Sequence, residues 1–176
     1  SLESPVFGYK NKLVRLVWLF FYILFFRYSP VFLFSFRAFL LRTFSAKVSR
    51  EVRIYPSVKI WLPSNLEIGS SSTLGPNVEV YNQGKITIRD NVIVSQGAYL
   101  CASTHDYRNR LHPLVLSPIF IENDVWICAK SIISPGVRIG EGAIIGIGSV
   151  MSSDAKNFGI YAGNPAKLIS TRVFYS

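Results

Sequence analysis

The segment 120–151, FIENDVWICAKSIISPGVRIGEGAIIGIGSVM, carries an aliphatic or thioether side chain at every sixth position. The series is Ile121, Ile127, Ile133, Ile139, Ile145 and Met151. An α-helix would repeat its apolar residues every 3.6 positions, and an ordinary strand would repeat them every two. A period of six indicates instead a hexapeptide β-helix, in which three hexads form one triangular coil.

The six-residue spacing extends over much of the chain that precedes this segment. Its earlier members are Ile54, Ile60, Ile68, Leu74, Val80, Ile88, Val94 and Leu100. The register slips by two residues at 66–68 and at 85–88, as expected where a solenoid accommodates a small insertion. Small or β-branched residues follow repeat aliphatics by four positions, and we expect them to fill the corners: Val125, Ser131, Val137, Ala143 and Ser149. We therefore predict an all-β solenoid, a parallel β-helix of about five coils over 51–155 that is stabilised by coil stacking.

The largest interruption of the repeat is the stretch 104–118, THDYRNRLHPLVLSP, which contains both histidines of the chain, His105 and His112. We predict that it forms an inserted loop, and polar loops of this length in a regular scaffold are usually functional. The repeat fades after Met151. In the tail, 156–176, the sequence AGNP predicts a turn that is followed by a short helix or strand.

The N-terminal extension, 1–50, has a different character. Between 13 and 44 the chain reads LVRLVWLFFYILFFRYSPVFLFSFRAFLLRTF, which is almost wholly apolar apart from its arginines. A bilayer-spanning helix needs about 20 uninterrupted apolar residues, and Arg27 and Pro30 break this run. We predict two aromatic-rich helices, with Ser29 capping the second and Pro30 at its first position. Two roles of these helices remain open. They pack on the protein or a partner subunit, or they form a peripheral membrane face.

Charge and cysteine content limit the partners and the compartment. The formal net charge is +9, and the basic residues crowd the first third of the chain. Such a charge suits an anionic membrane or a phosphate-bearing ligand, and without a recognised nucleic-acid motif we predict no nucleic-acid partner. Cys101 and Cys128 lie in apolar repeats, so we expect buried thiols of a reducing compartment and no disulfide. No small-residue cleavage site follows the apolar run. We predict a cytoplasmic location, with peripheral contact at the inner face of the membrane as an open alternative.

Several segments in order resemble one enzyme family. The segment 80–107, VYNQGKITIRDNVIVSQGAYLCASTHDY, resembles the approach to the catalytic histidine of the hexapeptide-repeat, left-handed β-helix acyltransferases. The segment 120–151 resembles their run of repeats, and YAGNPAKLI at 161–169 resembles their closing signature. The resemblance covers about 52–169. The apolar extension, the YN pair and the THDY string narrow it to the colanic-acid-biosynthesis type of O-acetyltransferase, near the maltose and galactoside acetyltransferases.

The resemblance implies a left-handed coil and a homotrimer whose active sites are shared between subunits. It also implies acetyl-CoA as the acyl donor and a saccharide hydroxyl as the acceptor. The acceptor would belong to a bacterial surface polysaccharide or to its lipid-linked precursor.

The same resemblance suggests roles for individual residues. His105 matches the catalytic histidine, and histidine ordinarily titrates near neutral pH, which suits a general base. Asp106 is adjacent and could orient the imidazole, and Asn82 falls where the family holds the acceptor or the reacting centre. Five further residues would follow acetyl-CoA: Trp126 against the pantetheine arm, the Ala129 amide near the thioester, Ile147 and Ser152 along the arm, and Lys167 at the nucleotide phosphates.

Two positions depart from the family pattern. Cys128 stands where relatives commonly have glycine, and Ser152-Ser153 stands where they often have Thr-Lys. The departure at 152–153 leaves one phosphate contact without its usual lysine. Other basic residues are alternatives for that contact, namely Lys130, Lys156 and Arg172.

The same scaffold has three alternative functions. A carbonic anhydrase class on the same scaffold binds zinc through three histidines, but this chain has only two, so we predict no catalytic metal. An N-acyltransferase acting on an amino sugar would use the same base and groove, and the sequence does not separate it from an O-acetyltransferase. The remaining alternative is a non-catalytic β-helix that docks at a membrane as a scaffold.

Overall fold

The computed structural model of the protein describes residues 8–173, which form a triangular parallel β-helix preceded by two helical segments. Residues 1–7 of the predicted extension and 174–176 of the predicted tail lie outside the described residues. The chain begins with α1 (Tyr9–Phe21), continues as a π-helix (Tyr22–Phe26) and then, after a turn, forms α2 (Phe34–Thr43).

Five complete coils of three short strands follow, and a sixth coil is begun. The first three coils comprise β1 (Lys47–Val48), β2 (Arg53–Ile54), β3 (Lys59–Ile60), β4 (Leu66–Ile68), β5 (Thr73–Leu74), β6 (Glu79–Tyr81), β7 (Ile86–Ile88), β8 (Ile93–Val94) and β9 (Tyr99–Cys101). A hairpin of β10 (Ser103–His105) and β11 (Leu114–Leu116) interrupts the solenoid. The remaining strands are β12 (Ile119–Ile121), β13 (Trp126–Ile127), β14 (Ile132–Ile133), β15 (Arg138–Ile139), β16 (Ile144–Ile145), β17 (Val150–Met151), β18 (Gly159–Gly163) and β19 (Ala166–Thr171).

Strands of successive coils stack into three parallel sheets. The first strands of the coils form sheet A, the second strands form sheet B and the third strands form sheet C. Sheet B is extended by β18, which is parallel to β16, and by β19, which is antiparallel to β18. We call the turn from sheet B to sheet C the B/C corner and the turn from sheet C to sheet A the C/A corner.

The six-residue series forms the interior of the solenoid, as predicted. In sheet B, for example, Val94 is paired with Ile127, which is paired with Ile145, and none of the three is exposed. The predicted corner residues are also buried, and the Ser131 hydroxyl donates to the Cys128 and Gly146 carbonyls of two successive coils. The period of six therefore identifies the inward-facing position of each strand correctly.

The irregularities of the solenoid lie at the C/A corner. In sheet A, Val48 is in register with Ile68 and then with Ile88, whereas Ile121 is in register with Ile139. The earlier coils are therefore two residues longer than the later one. Their extra residues lie at 62–65, where a short 3₁₀-helix forms, and at 82–85, which confirms the two predicted register slips. The predicted insertion at 104–118 leaves the solenoid at the same corner.

The N-terminal helices pack on the first coil. The Trp18 indole N–H donates to the Ile60 carbonyl at 2.8 Å, and α2 packs against β1 and β2. The break between the helices is confirmed, but the predicted cap is wrong, because α2 begins at Phe34. The Ser29 hydroxyl instead donates to the Phe26 carbonyl and accepts from the buried Arg37.

Two further predictions meet different outcomes. Cys101 and Cys128 are free and only half-buried, because the inward positions beside them belong to Leu100 and Ile127; the expectation of fully buried thiols is wrong. The AGNP turn is confirmed, and the segment after it is the strand β19 rather than a helix. Between residues 8 and 173, no helix combines the length and apolar character that a bilayer span requires.

Candidate active site

His105 lies at the end of β10, in the hairpin that leaves the solenoid at the C/A corner. Strands β10 and β11 are antiparallel, and His105 is in register with Leu114. The loop between them is closed by its own polar side chains: the Asp106 carboxylate accepts from the Arg108 N–H, and the Asn109 side chain accepts from the Leu111 N–H. These local bonds hold the inserted stretch in a defined shape.

A backbone carbonyl fixes the orientation and the tautomer of the His105 ring. Its Nδ1 atom lies 2.6 Å from the His112 carbonyl oxygen. Because a carbonyl oxygen can only accept a hydrogen bond, Nδ1 must carry the proton. In the neutral ring Nε2 then has the free lone pair, and the side chain is exposed. The arrangement can take a proton from a hydroxyl that approaches the outer side of the hairpin.

The sequence suggested that Asp106 could orient the His105 ring, but in the structure its side chain makes a different contact. Its carboxylate serves the turn by accepting from the Arg108 N–H at 3.0 Å. Within residues 8–173, the hydrogen bond found for the His105 ring is to the His112 carbonyl, not to Asp106. Asp106 follows the end of β10 and begins the turn that its carboxylate closes, which is the physical reason. The orienting role thus belongs to the His112 backbone.

Asn82 is placed inside the C/A corner rather than on its surface. Its side-chain oxygen accepts from the Trp61 and Leu62 N–H groups, each at 3.1 Å, and its amide donates to the Leu62 carbonyl at 2.6 Å. The side chain has no exposed surface. In this structure the amide fastens the longer second coil to the first, and a contact with the acceptor or the reacting centre stays a prediction.

The B/C corner of the fourth coil contains the half-buried Ala129. In the preceding coils the matching corner positions are Pro56, Pro76 and Gln96, and in the following coil Ile147. Proline has no N–H, so the solenoid does not need a hydrogen bond from this position. The Ala129 carbonyl, by contrast, accepts from Gly148 in the next coil at 2.9 Å. The Ala129 N–H, for which the described residues supply no acceptor, is available to a ligand.

Trp126 stands on the outer face of sheet B, next to this corner. The ring is 44% exposed, and its indole N–H donates to the Ser95 hydroxyl at 3.0 Å. Ile93 and Ile144 flank it in the neighbouring coils. The tryptophan is therefore a fixed apolar platform whose polar edge is already satisfied.

The remaining predicted residues lie farther along the solenoid. Ile147 is at the B/C corner with 75% of its surface exposed, and Lys167 is exposed on β19, at the end of sheet B. Ser152 is exposed after β17, at the C/A corner. The structure thus groups Trp126, Ala129, Ile147 and Lys167 along sheet B and its corner, whereas it places His105, Asn82 and Ser152 at the C/A corner.

Charge and acidity around these residues are uneven. Burial raises the pKa of the Cys128 thiol, which therefore remains neutral beside Ala129. From 8 to 50 the chain has no acidic residue and eight basic ones, whereas 51–173 carry eleven basic and nine acidic residues. Most of the net positive charge therefore lies in the N-terminal segment, which packs on the first coil rather than beside Trp126 and Ala129 in the fourth. Within residues 8–173, no three His, Cys, Asp or Glu side chains are grouped as a metal site requires.

Comparison with known proteins identifies the family. Residues 118–153 match the model described as bacterial transferase hexapeptide (six repeats). The putative colanic acid biosynthesis acetyltransferase WcaF of Escherichia coli is 38% identical over 148 residues, which make up 84% of this chain and 81% of that protein. The chain belongs to the hexapeptide-repeat acetyltransferases. The galactoside O-acetyltransferase of Escherichia coli is 30% identical over 133 residues, 74% of this chain and 66% of that protein.

Solved structures of hexapeptide-repeat acetyltransferases share the fold of the whole described chain. A galactoside acetyltransferase in complex with coenzyme A matches with a TM-score of 0.80 at 26% identity, over 95% of this chain and 84% of that one. A hexapeptide-repeat acetyltransferase of Vibrio cholerae in complex with acetyl coenzyme A matches with a TM-score of 0.83. Its 23% identity, over 93% and 90% of the two chains, supports the fold alone.

Sequence reasoning missed two residues of this acetyltransferase that support the site. The His112 carbonyl orients the His105 ring, although His112 itself has no sequence signal beyond its place before Pro113. Ser95, which holds the Trp126 indole, is 31 residues away in sequence. The period of six does place Ser95 and Cys128 at equivalent positions of adjacent coils, one residue after Val94 and Ile127, and so close to Trp126. That signal was available in the sequence.

Proposed function

We propose that this acetyltransferase moves the acetyl group of acetyl-CoA to a sugar hydroxyl in bacterial surface polysaccharide biosynthesis. The observation that carries the proposal is the exposed His105 ring, whose Nδ1–H is held by the His112 carbonyl so that Nε2 is free to act as a base. The resemblance to WcaF and to galactoside O-acetyltransferase supports the acceptor class.

In the proposed reaction, His105 Nε2 removes the proton of the sugar hydroxyl as its oxygen attacks the thioester carbonyl. A new C–O bond forms, and the carbonyl oxygen of the tetrahedral intermediate takes the negative charge. Collapse breaks the C–S bond, and the imidazolium returns its proton to the leaving thiolate. The unpaired Ala129 N–H would donate to the thioester carbonyl or to the adjoining arm.

The residues of sheet B fit the remainder of the acyl donor. Trp126 offers an apolar face to the pantetheine arm, Ile147 continues its path, and Lys167 would meet the phosphates. Ser152, at the C/A corner, would reach the arm from the neighbouring subunit. Two coil spacings separate β13 from β18, which is about 10 Å. The donor would therefore lie along the solenoid axis rather than across one coil.

The division of these residues between two corners supports a shared active site. His105 and Ser152 are at the C/A corner, whereas Trp126, Ala129 and Ile147 are on sheet B or its other corner. One triangular coil separates its own corners by a full sheet face. We therefore propose a homotrimer in which the hairpin of one subunit reaches the B/C corner of its neighbour.

Substitution of Ala129 by proline tests the role of its backbone N–H. We expect kcat/KM for acetyl-CoA to fall about 10²-fold, since removal of one donor to a developing oxyanion costs 10²–10³. The unfolding midpoint should change little, because the solenoid already accepts Pro56 and Pro76 at the equivalent corners. Gln96→Pro, one coil away, is the matched control and should keep near-wild-type kcat/KM. Equal activity of the two variants would show that the Ala129 N–H has no part in the reaction.

The product of the reaction separates the proposed function from its alternatives. Purified protein is incubated with acetyl-CoA and either a neutral hexoside or an amino-hexoside, and the products are analysed by mass spectrometry before and after mild base. We expect a base-labile ester on the hexoside. A base-stable amide formed only on the amino sugar would indicate an N-acyltransferase instead. A scaffold would show no stabilisation by CoA, whereas a ligand at 100 times its Kd adds about 2.7 kcal/mol to the unfolding free energy.

We further propose that the N-terminal helices contact an anionic membrane. Large apolar side chains are exposed there, including Phe20 at 58%, Tyr28 at 79% and Phe32 at 77%. They lie in a segment whose described charges are all positive. Apolar insertion and attraction to anionic lipid would act together.

Vesicle flotation measures this contact. We expect the protein to float with phosphatidylglycerol vesicles more than with phosphatidylcholine vesicles, and to do so less at high salt, where surface charges are screened. Phe32→Ser should lower the partition coefficient about tenfold, since burial of a large apolar side chain contributes about 1.5–3 kcal/mol. Phe120→Ser, which removes an exposed aromatic ring from sheet A, should float like the wild type. If Phe32→Ser floats as well as Phe120→Ser and the wild type, the result contradicts the proposed contact.

A further inference from the structure

A cavity of about 480 Å³ lies between α1 and the outer face of sheet C. This volume is within the range of small-molecule sites. The helix α1 contributes Lys12 and Arg15 to its walls, the π-helix contributes Tyr22, and the sheet contributes Lys59, Trp61 and Tyr81. None of these residues has a part in the acyl transfer described above, so the cavity needs its own explanation.

Aromatic rings and positive charges line this cavity together. The Arg15 guanidinium carbon is 3.6 Å from the centroid of the Trp61 ring, and the Trp61 and Tyr81 rings are 6.3 Å apart. Glu79, the acidic residue of the lining, forms an ion pair with Lys59 at 3.3 Å. Among residues 8–173, neither Lys12 nor Arg15 forms an ion pair. The cavity therefore holds an excess of positive charge beside flat apolar surfaces.

This chemistry fits a saccharide that bears phosphate. An arginine guanidinium and a lysine ammonium bind phosphate oxygens through charge-assisted hydrogen bonds. Aromatic rings with polar edges suit the mixed apolar and polar faces of a sugar. Burial raises the pKa of the Tyr22 phenol, so that group stays a neutral hydrogen-bond donor near neutral pH.

The cavity is connected to the hairpin of His105 through sheet C. Trp61 follows β3 directly, and Tyr81 ends β6 and is in register with Cys101, which ends β9. These three residues form a row at the C/A end of the sheet. The chain continues from Cys101 into β10 and reaches His105 four residues later. A ligand in the cavity would thus lie against the sheet that carries the proposed base.

The other side of α1 is apolar and exposed. Leu13 is 50% exposed, Val17 41% and Phe20 58%, and these side chains are not part of the cavity lining. One helix thus separates an exposed apolar surface from a cationic cavity. A ligand with a lipid chain and a phosphate would find both surfaces within the width of a helix, about 10–12 Å.

We propose that this cavity binds the phosphate-linked head group of a lipid-carried sugar, the acceptor of the acetyl group. The role of this ligand as the acetyl acceptor rests on the proposed function, but the binding itself does not require acyl transfer. Arg15 and Lys12 hold the phosphate or diphosphate, Trp61 and Tyr81 contact the sugar, and the lipid follows the apolar side of α1.

Calorimetric titration of the full-length protein tests this assignment. Geranyl diphosphate serves as a short-chain probe for a polyprenyl diphosphate, with geraniol as the uncharged control and UDP-glucose as a soluble sugar diphosphate. We expect wild-type protein to bind geranyl diphosphate more tightly than either of the other two. Arg15→Gln and Lys12→Gln should each weaken that binding about tenfold or more, as expected for the loss of a charge-assisted hydrogen bond.

Lys10→Gln is the matched control, because Lys10 is an exposed cation of the same helix that does not line the cavity. It should bind geranyl diphosphate within about twofold of the wild type. Equal weakening by Lys10→Gln and Arg15→Gln, or tighter binding of UDP-glucose than of geranyl diphosphate, would overturn the proposal. The His105→Ala protein should bind the probe like the wild type. Transfer that depends on His105 without any probe binding would leave the proposed function standing and refute the cavity assignment alone.

Discussion

The His105→Ala protein is expected to transfer acetyl groups with a kcat/KM about 10²–10⁴-fold below that of the wild type, the usual contribution of a general base. The substitution removes the Nε2 lone pair that would accept the proton. Among the described residues, no hydrogen bond orients the ring of the hairpin's other histidine, His112. Steady-state release of free thiol from acetyl-CoA, measured with a saturating sugar acceptor, gives the value. The unfolding midpoint should change little, because the His105 side chain is exposed.

His112→Asn is the control for this experiment. The contact to His105 comes from the His112 carbonyl rather than from its imidazole, and the backbone at 112 has φ of +45°, a conformation that asparagine tolerates. This variant should therefore retain kcat/KM within a few-fold of the wild type. Near-wild-type activity in His105→Ala would refute the mechanism, and a large loss in His112→Asn would show that its side chain has a role of its own.

The second large effect is expected for stability. Arg37→Met should lower the unfolding free energy by about 3–5 kcal/mol, because it leaves several oxygen acceptors without a donor, at about 1–3 kcal/mol for each one that is buried. Arg37 has no exposed surface. It donates to the Ile54 and Val31 carbonyls at 2.5 Å each, to the Pro30 carbonyl at 2.8 Å and to the Ser29 hydroxyl at 2.7 Å.

The physical reason lies in the acceptors that the substitution leaves behind. Burial lowers the pKa of Arg37, which means that its charge is costly there and is retained because these oxygens compensate it. Methionine has similar length and no donor, so buried carbonyls lose their partners, at about 1–3 kcal/mol for each unsatisfied group. The loop that joins the two helices would then lose its attachment to the first coil at Ile54.

Urea denaturation followed by circular dichroism measures the change in stability. Arg50→Met, which removes an exposed arginine from the same region, should shift the unfolding free energy by no more than about 0.5 kcal/mol. Because the loop carries Tyr28 and Phe32, Arg37→Met should also weaken vesicle flotation. A shift in Arg37→Met as small as that of Arg50→Met would mean that the four hydrogen bonds contribute no net stability.

Much of the fold could be predicted because one position of each hexad must face the interior. Ile121, Ile127 and Ile133 occupy that position in three successive strands, and a change of period would expose them. The insertion was also predictable as a loop, since the repeat stops at 104 and resumes at 119–121, but the pairing of its ends as β10 and β11 was not predicted. His105 could be proposed from residue type and motif together, and the structure adds the Nδ1 contact that assigns its tautomer.

Other parts of the site could not be predicted because they depend on which way a side chain points at a corner. The residue type at Asn82 does not tell whether the side chain faces a substrate or the Leu62 backbone. Only the longer second coil directs it inward. Asp106 and His105 are neighbours in sequence, yet the strand ends at His105 and the Asp106 carboxylate is used by the turn that follows. The partner of the His105 ring is a carbonyl, and every residue has a carbonyl, so no pattern of side chains could identify it.

By itself, the sequence determined the solenoid, its five-coil length and the corner residues, because burial at a fixed period leaves no other place for these side chains. Its motifs determined the family. The tertiary structure decided which groups meet. It collects every insertion at one corner, separates the His105 hairpin from the Ala129 corner, and forms a cationic cavity between α1 and sheet C. These relations join residues that are far apart in the chain, such as Arg15 with Trp61 and Arg37 with Ile54, and they depend on how coils and helices pack rather than on any local period.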